Sequence, residues 1–221
     1  MKLTNIITAM LLLAAPYASG QQTTPQNAKP VHTTTIYKKG DNGFDTYRIP
    51  ATIRTKKGTV LAFAEARKHS RSDTGDIDLV LRRSTNGGRT WSDIITVWDD
   101  AGNVCGNPAP IVDRETGRIL LLSTWNDGTD HEKDIHARTA KDTRRVFVLY
   151  SDDDGLTWSS PREITPSVKR KDWTWYATGP CHAIQLQKGK HKGRIVVSCN
   201  HGLFKDGKGS DSYSHLIYSD D

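Results

Sequence analysis

Ser84-Thr85-Asn86-Gly87-Gly88-Arg89-Thr90-Trp91 and Ser151-Asp152-Asp153-Asp154-Gly155-Leu156-Thr157-Trp158 are two copies of one pattern, S-x-[DN]-x-G-x-T-W. An Asp or Asn side chain that accepts from nearby backbone N–H groups, followed by a Gly able to take positive φ, predicts a self-stabilised hairpin turn. The Trp that closes each copy supplies a broad apolar plate for packing between sheets. Ser219-Asp220-Asp221 opens a third copy, and the three serines are spaced by 67 and 68 residues. These turns are read as architecture, not as chemistry.

The strands that feed the turns repeat as well. Pro50–Ile53 followed by Gly58–Phe63, Pro108–Ile111 followed by Gly117–Leu122, and Pro180–Ile184 followed by Gly193–Val197 are three hairpins. A third apolar run ending in Ser follows each: Leu79–Ser84, Val146–Ser151 and Leu216–Ser219. Their alternation and β-branched content predict strands. Successive four-stranded meanders at a fixed period are the blades of a β-propeller, which closes with typically 4 to 8 of them. The chain is therefore expected to hold two complete blades and part of a third.

Composition agrees with that fold. Among 221 residues, 18 Gly, 9 Pro, 6 Trp, 7 Tyr and 4 Phe give too much turn chemistry for a helical bundle and enough bulk for a large core. The formal charge is +6, but the Lys and Arg are dispersed, so a solvated surface is expected rather than a nucleic-acid partner. Cys105, Cys181 and Cys199 cannot all pair with one another, and neither they nor the eight His show metal-site spacing; no metal or cofactor is expected. Lys2, the apolar run around Met10–Ala15 and the small residues Ala18-Ser19-Gly20 read as a signal peptide over 1–20. A lead-in over 21–36 and an incomplete propeller domain over 37–221 follow. Secretion or periplasmic release is expected, with no integral membrane segment, because a spanning helix needs about 20 apolar residues.

Up-and-down strands put the start of strand one and the end of strand two of each blade on one face. That face gathers Arg48 and Arg67 in blade 1, which the hairpin midpoint near Lys57/Gly58 makes cross-strand neighbours. It also gathers the loop Lys68–Asp76 with Asp73, then Gly106-Asn107, Trp125-Asn126-Asp127, Trp173–Tyr176 and Asn200-His201. Like charges directly opposite are destabilising. They are resolved either by a shared carboxylate or phosphate held bidentately, or by pairing with Glu65 or Asp76. Asp73 fits a general acid provided that partial burial lifts its pKa; a turn role is the alternative. Aromatics at a cleft mouth pack on sugars or, equally, on neighbouring blades.

Taken together, Tyr47-Arg48-Ile49-Pro50, which matches a (F/Y)RIP motif, Arg67 and Asp73 at the familiar spacing from it, the two Asp boxes at 84 and 151, and Gly179-Pro180 resemble the exo-α-sialidases (neuraminidases). The resemblance covers residues from about Tyr37 onward. It implies an all-β, six-bladed β-propeller, of which about the first two and a half blades are present. The implied activity is release of terminal sialic acid, with retention, from sialylated glycoproteins, glycolipids or oligosaccharides. On that likeness Arg48 belongs to an arginine triad gripping the sugar carboxylate, Arg67 lines the same pocket, Asp73 is the acid/base, and Trp125 lies near the N-acetyl pocket. Asn107 stands where many bacterial relatives carry a substrate-contacting Asp, and Cys181 where Gly is common. The Tyr nucleophile of the family, its Glu and the other two triad arginines fall beyond residue 221, so the chain alone is expected to be inactive. A non-catalytic glycan-binding propeller and a trans-sialidase are the alternatives.

Overall fold

The computed structural model describes residues 31–179 and 181–220; the expected signal segment and the first part of the lead-in lie outside them. Contacts from Thr34 onward form one unit. It is built almost wholly of strands. The first meander is β1 (Thr46–Arg54), β2 (Val60–Arg67), β3 (Ile77–Ser84) and β4 (Ile95–Trp98), each antiparallel to the next. The second repeats the order with β5 (Val104–Val112), β6 (Ile119–Asn126), β7 (Arg145–Ser151) and β8 (Arg162–Glu163). A single parallel pair, Ile77 with Val104, joins them. In the third unit β9 (Trp173–Thr178) and β10 (Ile184–Gln185) both pair with β11 (Ile195–Lys205), which pairs with β12 (Lys208–Ser219). Two short helices, α1 (Glu132–Ala137) and α2 (Thr165–Val168), lie in the connections. No helix of the described residues is long and apolar enough to cross a membrane.

The core follows from the alternation. Leu61, Phe63, Leu79, Leu81, Ile119, Leu121 and Leu149 are buried between the first two meanders. Burial of a large apolar side chain contributes roughly 1.5–3 kcal/mol. A second cluster, with Ile111, Leu122, Val146, Tyr176 and Val197, packs the second unit on the third. The octapeptide turns behave as their composition predicts. In the first, Asn86 Oδ1 accepts from the N–H groups of Arg89 (3.1 Å) and Thr90 (3.0 Å), and Ser84 Oγ accepts from Gly88 N at 2.9 Å. In the second, Asp153 Oδ1 accepts from Leu156 N (3.0 Å) and Thr157 N (2.9 Å), while Trp158 meets the edge of Phe63 at 5.7 Å. This second turn also bolts the meanders together: Asp154 Oδ2 accepts from Thr59 Oγ1 at 2.6 Å and from Arg83 Nη2 at 2.9 Å.

One backbone device recurs in the first strand of each unit. Ile49, Asn107 and Gly179, each followed by Pro in the sequence, have φ of 52°, 55° and 72°. The ladder slips there between Arg48 and Ala51 and again between Gly106 and Ala109, and in the third unit the strand breaks between β9 and β10. Left-handed backbone costs little for Gly, is tolerated by Asn, and is strained for a β-branched Ile.

Two sequence expectations change here. The first hairpin turns about Lys57 and its bulge slides the register further, so Arg48 faces Glu65 and Arg67 faces Thr46; the two arginines are diagonal neighbours, not opposite. In the third unit the strands run well beyond the expected limits. Asn200 and His201 lie inside β11, paired with Ala177 and Tyr176 on one side and Ser214 and Tyr213 on the other, rather than past the end of a strand.

Candidate active site

The β1 bulge turns Arg48 toward the loop that follows β2, and the pleat keeps Arg48, Glu65 and Arg67 on one side of the sheet. Asp73, in that loop, is where they converge. Its Oδ1 is 2.8 Å from Arg48 Nη1 and 2.7 Å from Arg67 Nη1. Arg67 is buried, and its Nη1 also donates to the carbonyls of Arg71 (2.8 Å) and Ser72 (2.7 Å). The other half of its fork meets Glu65 Oε2 at 2.5 Å. Of the two resolutions the structure shows pairing with the protein's own carboxylates: Glu65 meets buried Arg67, and the carboxylate that the two arginines share is Asp73, held through one oxygen. Asp76 instead pairs with Lys68, at 3.6 Å. The side chain of Asp73 is 63% exposed, so the burial on which its acid role was argued is absent in this state, because the loop holds it at the rim.

Glu65 carries the geometry into the second meander. Its Oε1 accepts from the backbone N of Asn107 at 2.9 Å. Gly106 permits the approach, since a Cβ there would stand 2.7 Å from Glu65 Oε1. Beyond Asn107 lies Arg144, just before β7 and buried. It donates to the side-chain oxygens of Asn107 and Asn126 and, through Nε, to the Tyr176 carbonyl at 3.1 Å. Trp175 of β9 covers it, with the guanidinium carbon 4.2 Å from the ring centroid. Burial draws the Arg144 pKa down to about 10 against the pull of Glu65, Glu132 and Asp73, which leaves it a cation at neutral pH.

These groups enclose a cavity of about 170 Å³, lined by Ile49, Glu65, Arg67, Asp73, Asn107, Glu132, Arg144 and Trp175 among others. Arg48 stands at its edge, 2.8 Å from Asp73. Trp125 is not among the lining residues: its Nε1 donates to Asp100 Oδ2 at 2.6 Å, and the Arg145 guanidinium lies 5.4 Å from its ring. Nor is Trp173, which stacks on His201 at 3.6 Å. Arg144 and Glu132 are not singled out by the sequence reading; Trp175 is, as part of Trp173–Tyr176 on this face, with packing as its alternative role, and the structure places it against the cavity. For Arg144 a signal exists, two adjacent arginines opening an apolar strand, where an unpaired charge is expensive. Chemically the cavity sets the guanidinium forks of Arg67 and Arg144 beside the carboxylates of Glu65, Asp73 and Glu132, a lining rich in charged hydrogen-bonding groups.

Comparison with known proteins agrees with this architecture. A family model described as BNR repeat-like domain matches residues 58–221. The chain belongs to that BNR-repeat family. Several of its curated relatives are sialidases. An exo-alpha-sialidase of Aspergillus fumigatus is 36% identical over 165 residues, covering 67% of this chain and 40% of the relative. Among solved structures, a Hadza microbial sialidase matches with a TM-score of 0.70 and 28% identity, over 81% of this chain and 36% of that one. A leech intramolecular trans-sialidase shares the fold with a TM-score of 0.68 at 17% identity, over 87% of this chain and 44% of its own. The BNR-repeat chain therefore spans about 40% of the length of the first curated relative it matches, and its β-propeller architecture is that of the sialidases.

Proposed function

We propose that the protein to which this chain belongs is an exported exo-α-sialidase that removes terminal sialic acids from glycoconjugates with retention. On this reading the chain contributes the first two and a half blades of a six-bladed propeller, and with them the acid side of the site. The observation that carries the proposal is the convergence of Arg48 and Arg67 on one carboxylate oxygen of Asp73 at the cavity rim.

Asp73 occupies the position that a substrate carboxylate takes. A bound sialoside brings its own carboxylate to Arg48, as two planar forks favour. Asp73 is then released from the arginines and covered by the sugar. Covering removes water, which disfavours the ionised form and suits proton donation to the leaving oxygen. Arg67 stays anchored by Glu65 while this exchange takes place. The nucleophile is a Tyr on a later blade, activated by a Glu; a neutral phenol avoids the repulsion that a second carboxylate would meet beside the sugar carboxylate.

The test is release of an aryl alcohol from an α-sialoside by the full-length protein. Arg48→Ala should raise KM by roughly 10- to 150-fold, the range for a lost charge-assisted hydrogen bond. Asp73→Ala should impair natural sialosides far more than activated aryl ones, because poor leaving groups need the proton. Binding without turnover would favour a glycan-binding propeller instead, and transfer of the sugar to an added acceptor in place of water would make it a trans-sialidase.

A further inference from the structure

Arg144 has five N–H groups and no acceptor, and among the described residues it forms no ion pair with a carboxylate within 4 Å. Its charge is met instead by the oxygens of two neutral carboxamides, Asn107 and Asn126, and by a backbone carbonyl. This constrains Asn107 sharply. The Oδ1 of Asn107 accepts from Arg144 Nη2 and from Thr124 Oγ1 at 2.9 Å, so both of its lone pairs are engaged. Exchanging oxygen and nitrogen would set NH2 donors against guanidinium donors in a buried place, which hydrogen-bond chemistry forbids. Asn126 is held in the same sense, its Nδ2 donating to the Asp127 carbonyl at 2.9 Å. The backbone of Asn107 is fixed as well, by its left-handed φ of 55° and the bond from its N–H to Glu65. What remains for a ligand is the Asn107 NH2, which bonds to no described residue and belongs to a side chain lining the cavity.

We propose that Arg144 is a positioning residue that locks the Asn107 carboxamide with its NH2 edge toward the cavity. The site therefore takes a sugar whose substituent at that point offers an acceptor oxygen. A hydroxyl or carbonyl satisfies the edge. A group with only hydrogens to present leaves two covered donors unpaired. Only the ligand class rests on the sialidase reading; the orientation of Asn107 does not.

Two measurements on the full-length protein test it. Thermal unfolding of Asn107→Leu, Arg144→Met and the double variant reads the Arg144–Asn107 interaction without any ligand. Coupled residues should give a double variant whose loss in Tm is well below the sum of the single losses; additive losses overturn the proposal, whether or not any sialoside is cleaved. The second measurement is binding of non-hydrolysable α-thiosialosides in which each ring hydroxyl in turn is replaced by hydrogen or fluorine. At one position hydrogen should weaken binding about tenfold or more, and fluorine, which retains weak acceptor character, less than about threefold. Asn107→Asp should raise that fluorine penalty above about tenfold, since the cavity edge becomes an acceptor. Arg144→Met should make the two penalties equal, and Arg144→Lys should restore part of the difference. Equal penalties at every position in the wild type overturn the donor edge. If no thiosialoside binds while the unfolding cycle stays coupled, the sialoside assignment falls and the Arg144–Asn107 lock stands.

Discussion

The rims of the first and second meanders use the same bend for opposite ends. In β1 the left-handed residue is Ile49, and the bulge delivers Arg48 to the exposed carboxylate of Asp73. In β5 it is Asn107, and the bulge delivers an amide to a buried arginine. The first rim is ionic and open: the side chains of Arg48 and Asp73 are 38% and 63% exposed. The second is a network around a single buried cation whose direct partners are neutral. Exchange with a ligand suits the first, because water already shares its charges. Fixed recognition suits the second, because every oxygen in it is committed. Glu65 is the hinge between them, bonded to Arg67 on one side and to the Asn107 backbone on the other.

The comparison breaks most visibly at that hinge. Glu65→Leu should cost about 3–5 kcal/mol of stability, the usual penalty for stranding one partner of a buried pair, read by urea unfolding of the full-length protein. An unchanged midpoint would mean that Asp73 alone satisfies Arg67. Gly106→Ala comes next. The new Cβ, 2.7 Å from Glu65 Oε1, must push the carboxylate aside and displace both rims together. About a 100-fold loss in kcat/KM on a sialoside reporter is expected for a shift of this kind; wild-type turnover would show that the rims work independently.

Away from the rims, Asp153→Asn probes the architectural turn against the functional face. Burial opposes ionisation of Asp153, yet hydrogen bonds from Thr157, Ser151 and Leu156 hold its pKa at about 2, below the ordinary carboxyl value of about 3.9. Its charge therefore stabilises the fold fully above about pH 4 and stops doing so as pH falls through 2. The variant should be less stable than wild type at pH 7, by about 1–3 kcal/mol, with the gap closing towards pH 2; a gap independent of pH would remove the charge from the explanation. The smallest effect is expected at Ile49→Gly. Relief of the strained φ and loss of side-chain packing oppose each other, leaving a change of about 1 kcal/mol or less in unfolding free energy. A large loss would mean that the Ile49 side chain, not its backbone, shapes the cavity.

Much of this was legible residue by residue. The octapeptide turns announce themselves because every atom they need lies within eight positions. The strands of the first two meanders follow from alternation, Arg48 and Arg67 lie near strand ends on one face, and Asp73 lies in the loop after β2. The third unit departs from its sequence pattern because β11 and β12 run through Asn200-His201-Gly202 and a Gly-, Ser- and Asp-rich stretch that reads as loop. Pairing of β11 with both β9 and β12 overrides that local preference.

Local chemistry written into short stretches thus determined the repeat, the turns and the set of arginines available. The tertiary structure decided which charges meet. Register depends on a left-handed residue before a proline, a property of backbone torsion that no side-chain pattern displays. Glu65, Arg144 and Trp175 become one site only because strands distant in sequence bury them around the same cavity, where a cation must find oxygens wherever the fold supplies them.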